Sequence, residues 1–358
     1  MKRTLAAVFI IILLVVASAA GASYWIFSSV KAPHDHTHSA EFIRIEKGST
    51  PRQIVDRLAS EGIISSSTAA SLYLRLFGDS QGLQAGVYQF KSPISTIEVL
   101  KQLEKGQDLT VKLTIPEGFT RFDIAKRMAE KFGSLEVLDG DAPREPFASE
   151  ADILKLMDDT SLINDISPKA TSLEGYMYPT TYTFPRDAKA GDVIKAMVEQ
   201  FRKFWKPEWT ADAAAKGRTP NEIVTIASLI ETETSVESER PTVASVIYNR
   251  LSRGVPLGID QTNVYIAKMQ GRWDGVINKS DLEVDSPYNT RIHVGLPPGP
   301  ISSVTESSIR AALEPAQTDF LYYVRNVDLH DGSHWFYASA AEFEKGKAKY
   351  QKWLAEQR

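Results

Sequence analysis

Three kinds of hydrophobic pattern follow one another along the chain. The first is a continuous run: after Lys2 and Arg3, residues 5–27 carry no charge. About 23 such residues suffice to cross a bilayer core at roughly 1.5 Å per residue. The second is an alternation of period two that enters a glycine turn and then switches to helical spacing. It occurs at Phe42-Ile43-Arg44-Ile45-Glu46-Lys47-Gly48-Ser49-Thr50, followed by Ile54, Leu58 and Ala59. It returns at Leu113-Thr114-Ile115-Pro116-Glu117-Gly118-Phe119-Thr120, followed by Ile124, Met128 and Ala129. The third is helical: Ile223, Ile226, Ala227 and Ile230 form one apolar stripe at the i, i+3, i+4, i+7 spacing.

Superposing Gly48 on Gly118 also aligns Ile45 with Ile115, Thr50 with Thr120, Ile54 with Ile124, Arg57 with Arg127 and Ala59 with Ala129. A spacing that holds at every pair marks an internal repeat. Thr50 and Thr120 are placed to cap the helices, and the glycines supply the turns. Each copy resembles the LysM module, a small glycan-binding fold that opens with a strand, a turn and a helix. A generic α/β packing unit with no sugar contact fits the same pattern. Between the copies, Gly86 to Phe90 reads as a strand and Thr96 to Leu103 as a helix ending at Gly106. Gly140, Pro143 and Pro146 predict a loop before a helix around Ile153 to Met157. The expected division is therefore 1–30 cytoplasmic tip and membrane anchor, 31–41 linker, 42–135 LysM-like module, and 136–358 C-terminal domain.

On the helix of the third pattern, Glu231 and Glu233 fall on the two rims of the apolar stripe. A half-buried carboxyl raised by desolvation suits a general acid. Glutamate also lines such rims as an ordinary helix former, and the spacing by itself leaves both readings open. Helices are further expected over Val193 to Trp205, from Pro241 to a stop at Gly254, near Ser307 to Leu313, and at the end around Phe343, Tyr350 and Trp353. Phe320 to Val324 and Trp335 to Tyr337 read as strands of a hairpin whose turn holds Asp331-Gly332-Ser333 between His330 and His334.

Charge and composition narrow the function. A net charge of −4 with dispersed basic residues does not point to nucleic acid as the partner. The lack of cysteine excludes disulfides, thiolate metal sites and a lipidated cysteine. Tyr24, Trp25, Ile26 and Phe27 extend the first apolar run with an interfacial aromatic belt, which favours a retained anchor. Ala17-Ser18-Ala19 is a small-residue site of the kind at which a signal peptide is cut. Either reading exports the rest of the chain, with Lys2 and Arg3 on the cytoplasmic side. His34-Asp35-His36-Thr37-His38 alternates like a metal ligand set; it reads as polar linker and is assigned no site.

Ser172-Leu173-Glu174-Gly175-Tyr176-Met177-Tyr178-Pro179 places an acid and two tyrosines at a turn. That chemistry suits sugar rings and hydroxyls, as it also suits core tyrosines beside a turn. An ordered series then completes the picture: Leu173-Glu174-Gly175; Ala227-Ser228-Leu229-Ile230-Glu231; Ala244-Ser245-Val246 with Asn249-Arg250-Leu251; Asp260 with Thr262 and Tyr265; Tyr288-Asn289-Thr290; and Gly295-Leu296-Pro297-Pro298-Gly299-Pro300-Ile301. In this order and over nearly the whole chain the series resembles the endolytic murein transglycosylases of the YceG-like family. The resemblance implies an α+β protein with an N-terminal transmembrane helix, a LysM-like module and a C-terminal mixed α/β catalytic domain. It implies a single-pass protein of the bacterial cytoplasmic membrane, anchored through residues 5–27, with its catalytic part outside.

The resemblance places the catalytic carboxyl on Glu231. Glu174, Tyr178, Asp260, Thr262, Tyr288 and Asn289 are then expected to hold the glycan or position Glu231. The implied reaction cuts the β-1,4 bond between N-acetylmuramic acid and N-acetylglucosamine and leaves a 1,6-anhydro end. It calls for no metal and no cofactor, and the synthases of the same polymer are candidate protein partners. The chain departs from the family pattern at Gly258 and Gln261, beside Asp260, and at Arg291, where an aromatic residue is expected. Two rival functions remain: a hydrolase pairing Glu231 with Glu174 or Asp260, and a non-catalytic peptidoglycan-binding scaffold.

Overall fold

The computed structural model describes residues 2–39, 43–46, 48–78, 82–88, 90–106, 110–135, 147–186 and 188–357. The loop expected at Gly140, Pro143 and Pro146 lies outside these residues, as do Phe42, Lys47 and Gln89. By contacts the chain divides into two compact units, one built on residues 1–110 and one on 111–134 and 146–358.

The first unit holds α1 (Lys2–Lys31), β1 (Pro33–His34), β2 (Ile43–Ile45), α2 (Pro51–Ser60), α3 (Ser67–Leu76), β3 (Gly86–Tyr88), β4 (Ile94–Ser95) and α4 (Thr96–Lys105). Residues 12–31 of α1 are long and apolar enough to cross a membrane. The end of α1 packs on α3, where Phe27 meets the rings of Tyr73 and Phe77. β1 pairs antiparallel with β4, and the His36 backbone donates to Ser92 Oγ at 2.9 Å. The histidine segment, expected as linker, thus begins inside a sheet, because backbone pairing leaves no trace in side-chain hydropathy. β2 pairs with β3 over a core of Ile43, Ile45, Ile54, Leu58, Tyr88, Phe90, Leu100 and Leu103.

The two repeat copies carry the same local code. Gly48 and Gly118 both sit at positive φ, 86° and 72°, where a side chain is disfavoured. Thr50 and Thr120 both complete capping boxes, with Gln53 and Asp123, each cap contributing about 1 kcal/mol. The second copy is grouped by its contacts with the C-terminal unit, whereas the expected division at 135 assigns it to the N-terminal module.

The second unit runs through β5 (Thr110–Thr114), α5 (Arg121–Gly133), α6 (Glu150–Met157), β6 (Thr181–Pro185), α7 (Ala190–Phe204), α8 (Pro207–Ala215) and α9 (Pro220–Glu233). It continues with α10 (Arg240–Ser252), α11 (Gln261–Met269), α12 (Lys279–Leu282), α13 (Glu306–Leu313), β7 (Tyr322–Arg325), β8 (His334–Tyr337) and α14 (Ala340–Glu356). The strands form two-stranded pairs, β5 with β6 and β7 with β8, so helices carry the bulk of a mixed α/β architecture. The hairpin and the last helix form as the sequence pattern predicts. Gly346 of α14 lets Tyr337 close in: a Cβ there would collide with the Tyr337 hydroxyl.

α9 is the axis of this unit. Thr219 opens it with a capping box to Glu222, and Pro220 stands in its first turn. Every residue from 223 to 231 is buried. This corrects the expectation of one apolar stripe between two rims: the helix has no solvated back over this stretch, as befits a helix enclosed by the core. Its two buried hydroxyls turn inward to carbonyls of the same helix, Thr225 to Asn221 and Ser228 to Thr225, both at 2.7 Å, which removes the penalty of burying them.

Two further contacts fasten α9 to the proline-rich segment before α13. The Ile301 backbone N–H donates to Ser228 Oγ at 3.0 Å, and Ser302 Oγ donates to the Ser228 carbonyl at 3.3 Å. Gly175, at φ 83°, fits under Pro300 and beside Val224. A Cβ there would lie 2.6 Å from Pro300 Cβ and 2.8 Å from Val224 Cγ1. Gly175→Ala therefore combines left-handed strain with overpacking, and thermal or chemical unfolding should show a loss of about 2–4 kcal/mol. An unfolding midpoint equal to that of the unmodified chain would refute this account.

Candidate active site

The last turn of α9 delivers Glu231 into the core with its side chain 2% exposed. Four donors from two other elements meet its carboxyl group. Arg240 Nη2, at the start of α10, donates to Oε1 at 2.8 Å. The backbone N–H of Thr305, its Oγ1 and Ser308 Oγ donate to Oε2 at 2.9, 2.8 and 2.5 Å. Thr305 is the N-cap of α13, so the positive end of that helix faces the carboxyl group. Arg240 Nη1 in turn donates to Thr305 Oγ1 at 2.7 Å, which closes the ring of contacts.

Local structure explains why Arg240 returns to this point. Residues 234–239 form a short link between α9 and α10, closed by Thr234 Oγ1 donating to Glu239 Oε2 at 3.2 Å. β8 holds Glu239 from the other side, through the His334 backbone at 2.7 Å and Nδ1 at 2.8 Å. Pro241 supplies the fixed φ of a first helical turn. Arg240, 7% exposed at its side chain, is left facing back along α9. Removing one partner of such a buried pair costs about 3–5 kcal/mol, because the other charge is left uncompensated.

The arrangement suits proton transfer in both directions. Two of the four donors are hydroxyls, and a hydroxyl reverses from donor to acceptor by rotation. Thr305 and Ser308 can therefore serve Glu231 whether Oε2 carries a proton or not. Tyr178, stacked on Phe204 at 4.1 Å, completes this side of the site. Burial first, then the negative charges of Glu306, Glu117 and Glu231, raises its phenol pKa. Glu117, exposed in the turn before α5, reaches the same guanidinium, with Oε2 at 3.7 Å from Arg240 Nη2.

Glu233 is separated from Glu231 by its partners. Its carboxylate accepts from the Tyr323 hydroxyl of β7, and burial, the leading cause, raises its pKa. The other expected site residues take three kinds of position. Thr262 and Asn289 are fully buried and hold loops: Thr262 Oγ1 lies 3.1 Å from Thr290 Oγ1, and Asn289 Nδ2 donates to the carbonyls of Leu282 and Val284 at 3.1 and 2.8 Å. Asp260 is exposed and paired with Arg291, the residue that stands where the family pattern has an aromatic. Gly258 sits at φ 65° with its N–H donating to the Thr290 carbonyl at 2.8 Å, so glycine fits that turn. Tyr288 is half-buried with its ring 5.0 Å from Tyr265.

Glu174 is buried rather than presented to solvent. Both its oxygens accept from the Arg121 backbone N–H at the start of α5, at 3.1 and 2.9 Å, and Tyr265 pairs with it as well. Arg240, Thr305, Ser308, Glu117 and Tyr265 join the site without being marked as site residues by the sequence pattern. Arg240 was visible only as part of the Glu239-Arg240-Pro241 break, and nothing local marks Thr305 or Ser308, which approach Glu231 only through the tertiary fold.

Comparison with known proteins sets this geometry in context. A profile of the YceG-like family matches residues 43–349. A Bacillus subtilis (strain 168) protein named endolytic murein transglycosylase is 33% identical over 314 residues, covering 86% of this chain and 84% of that protein. A Streptococcus pneumoniae (strain D39) protein of the same name is 29% identical over 333 residues, and there the chain spans 58% of the relative's length. The crystal structure of a putative YceG-like protein from Listeria monocytogenes matches with a TM-score of 0.54 at 31% identity, covering 85% of this chain and 98% of that one.

The buried carboxyl of Glu174 has a consequence for stability. Desolvation, opposed by the Arg121 backbone and charge, raises its pKa from 4.5 to about 7. Between these values the folded state binds more protons than the unfolded state, so this group's contribution makes stability fall as pH rises through that window. The full penalty, reached above the folded pKa, is on the order of 3 kcal/mol. Glu174→Gln keeps an acceptor for the Arg121 N–H and removes the titration. Urea unfolding across pH 4.5–8 should show a flatter profile for the variant, with its relative gain at the alkaline end; parallel profiles would contradict the assignment.

Proposed function

The chain belongs to the YceG-like family, and from that premise we propose that it is a membrane-anchored endolytic lytic transglycosylase. It cleaves the bond between N-acetylmuramic acid and N-acetylglucosamine within peptidoglycan strands and leaves 1,6-anhydro ends, so terminating or trimming nascent strands. α1 anchors it in the cytoplasmic membrane with the rest of the chain on the outer side, where peptidoglycan and its synthases are found. The strand, turn and helix of the N-terminal unit, with their LysM-like local code, contribute contact with the glycan.

The observation that carries this reading is the enclosure of Glu231: one carboxyl, nearly dry, with two reversible hydroxyls on the oxygen that exchanges the proton. Protonated Glu231 donates to the leaving glycosidic oxygen as positive charge develops at the sugar C1. The resulting carboxylate takes the proton of the muramoyl 6-hydroxyl while that oxygen attacks C1. The nucleophile is part of the substrate, so positioning replaces a second carboxyl group. A hydrolase would need a second carboxyl to activate water. Of the two once considered, Glu174 is engaged by the α5 backbone and Asp260 by Arg291, which favours the single-acid reading. Tyr178, whose phenol feels the charge of Glu231, is an expected glycan contact.

Digestion of purified glycan strands with mass analysis of the ends tests the proposal. The native chain should yield ends one water lighter than reducing ends, within strands and not only at their termini. Glu231→Gln should lower the rate by about 10²–10⁴-fold. Reducing ends would indicate a hydrolase, and undiminished cleavage by the variant would remove Glu231 from the reaction.

A further inference from the structure

We propose that Glu117 is a positioning residue that takes Arg240 from Glu231 when Glu231 must carry its proton, an inference that rests on Glu231 being the acid. One donor atom, Arg240 Nη2, faces both carboxylates, at 2.8 Å from Glu231 Oε1 and 3.7 Å from Glu117 Oε2. The two carboxylates are otherwise unlike. Glu231 is 2% exposed at its side chain and Glu117 is 64% exposed. The Glu117 turn is held in register with the site: the Ser303 N–H donates to the Phe119 carbonyl at 2.7 Å, and Ser303 Oγ to that of Pro116 at 3.4 Å. Ser303 lies two residues before Thr305, which itself binds Glu231. The acceptor turn and the acid are thus fastened to one segment.

The reason for such a device is charge balance. A guanidinium on Glu231 stabilises its anion, which opposes the acid step; a neutral Glu231 beside a buried guanidinium with no other carboxylate leaves that charge uncompensated. Arg240 Nε is buried and has no acceptor among the described residues, so the side chain is not held by all of its donors. With Arg240 on Glu117, Glu231 holds its proton. As the C1–O4 bond breaks, that proton passes to the leaving 4-hydroxyl and Arg240 returns to the new Glu231 carboxylate. As O6 bonds to C1, the O6 proton restores the acid and Arg240 moves back to Glu117. In the structure Arg240 lies on Glu231, 2.8 Å from Oε1. Other charges nearby are already engaged: Glu306 by Lys206 at 3.3 Å and Arg310 at 2.8 Å, Glu233 by Tyr323, and His334 by Glu239. Tyr178 also feels the charges of Glu117 and Glu231.

The test compares full-length native chain, Glu117→Gln, Glu117→Asp and Glu231→Gln on purified glycan strands over pH 5–9, with melting temperature as a control for folding. Glu117→Gln should lower kcat by about 10–100-fold with KM changed less than about twofold, because the loss falls on the transition state and not on binding. Its alkaline limb should move to lower pH, since Arg240 left on Glu231 favours the anion. Glu117→Asp, which keeps the charge, should recover part of both effects. A native kcat and an unmoved alkaline limb in Glu117→Gln, with Glu231→Gln inactive, would overturn this inference alone. A change confined to KM would make Glu117 a glycan contact and overturn it too. An active Glu231→Gln would overturn the inference together with the assignment of the acid.

Discussion

The enclosure of the Glu231 carboxyl is the constraint around which the second unit is arranged. A carboxyl group this deeply buried is tolerated only where its oxygens are matched by donors or a counter-charge. The match comes from two places: the start of α10, nine residues on, which brings Arg240, and the start of α13, distant in sequence, which brings Thr305 and Ser308. The negative end of α9 thereby meets the positive end of α13, a favourable pairing of helix dipoles. Beside well-packed apolar side chains of similar volume, a buried charge pair of this kind contributes little net stability.

The family motifs read as fittings for this one junction. Ser228 is buried in the middle of α9, where a hydroxyl has no packing advantage, and it is used to hold the backbone of Ile301. Gly175 is required because Pro300 and Val224 occupy the space of a side chain. Asn289 and Thr262, expected to hold the glycan or position Glu231, bond to the carbonyls and hydroxyls of the loops that lead into the proline-rich segment. Ser228 and Gly175 thus secure the proline-rich segment before α13 against α9. A shift of that segment by an ångström would separate Thr305 from the carboxyl group it binds.

The repeat illustrates how local and global information part. Both copies place glycine at positive φ, a threonine cap and an acceptor three residues on, and both form the same turn and helix start. These features depend on contacts within four residues, and they form wherever the sequence provides them. Which unit each copy packs into depends instead on the partners of its apolar face. The first joins the core of Ile43, Leu58 and Tyr88. The second lies with the C-terminal unit, and its turn carries Glu117 to Arg240.

By itself the sequence determined what short-range physics controls: the helices from α9 to α10 and at the C-terminus, the hairpin of β7 and β8, the caps, the glycine turns and the apolar run of α1. It also singled out Glu231 through an ordered set of motifs, while helical periodicity left Glu231 and Glu233 equivalent. The tertiary structure gives that distinction a physical basis, by sending Arg240, Thr305 and Ser308 to one and Tyr323 to the other. It also turned a helix expected to be amphipathic into one buried on every side, since the enclosure of its back depends on other segments of the chain. Hydrogen bonds between residues about 75 positions apart leave no periodic signal, because their geometry exists only once the helices that carry them have packed.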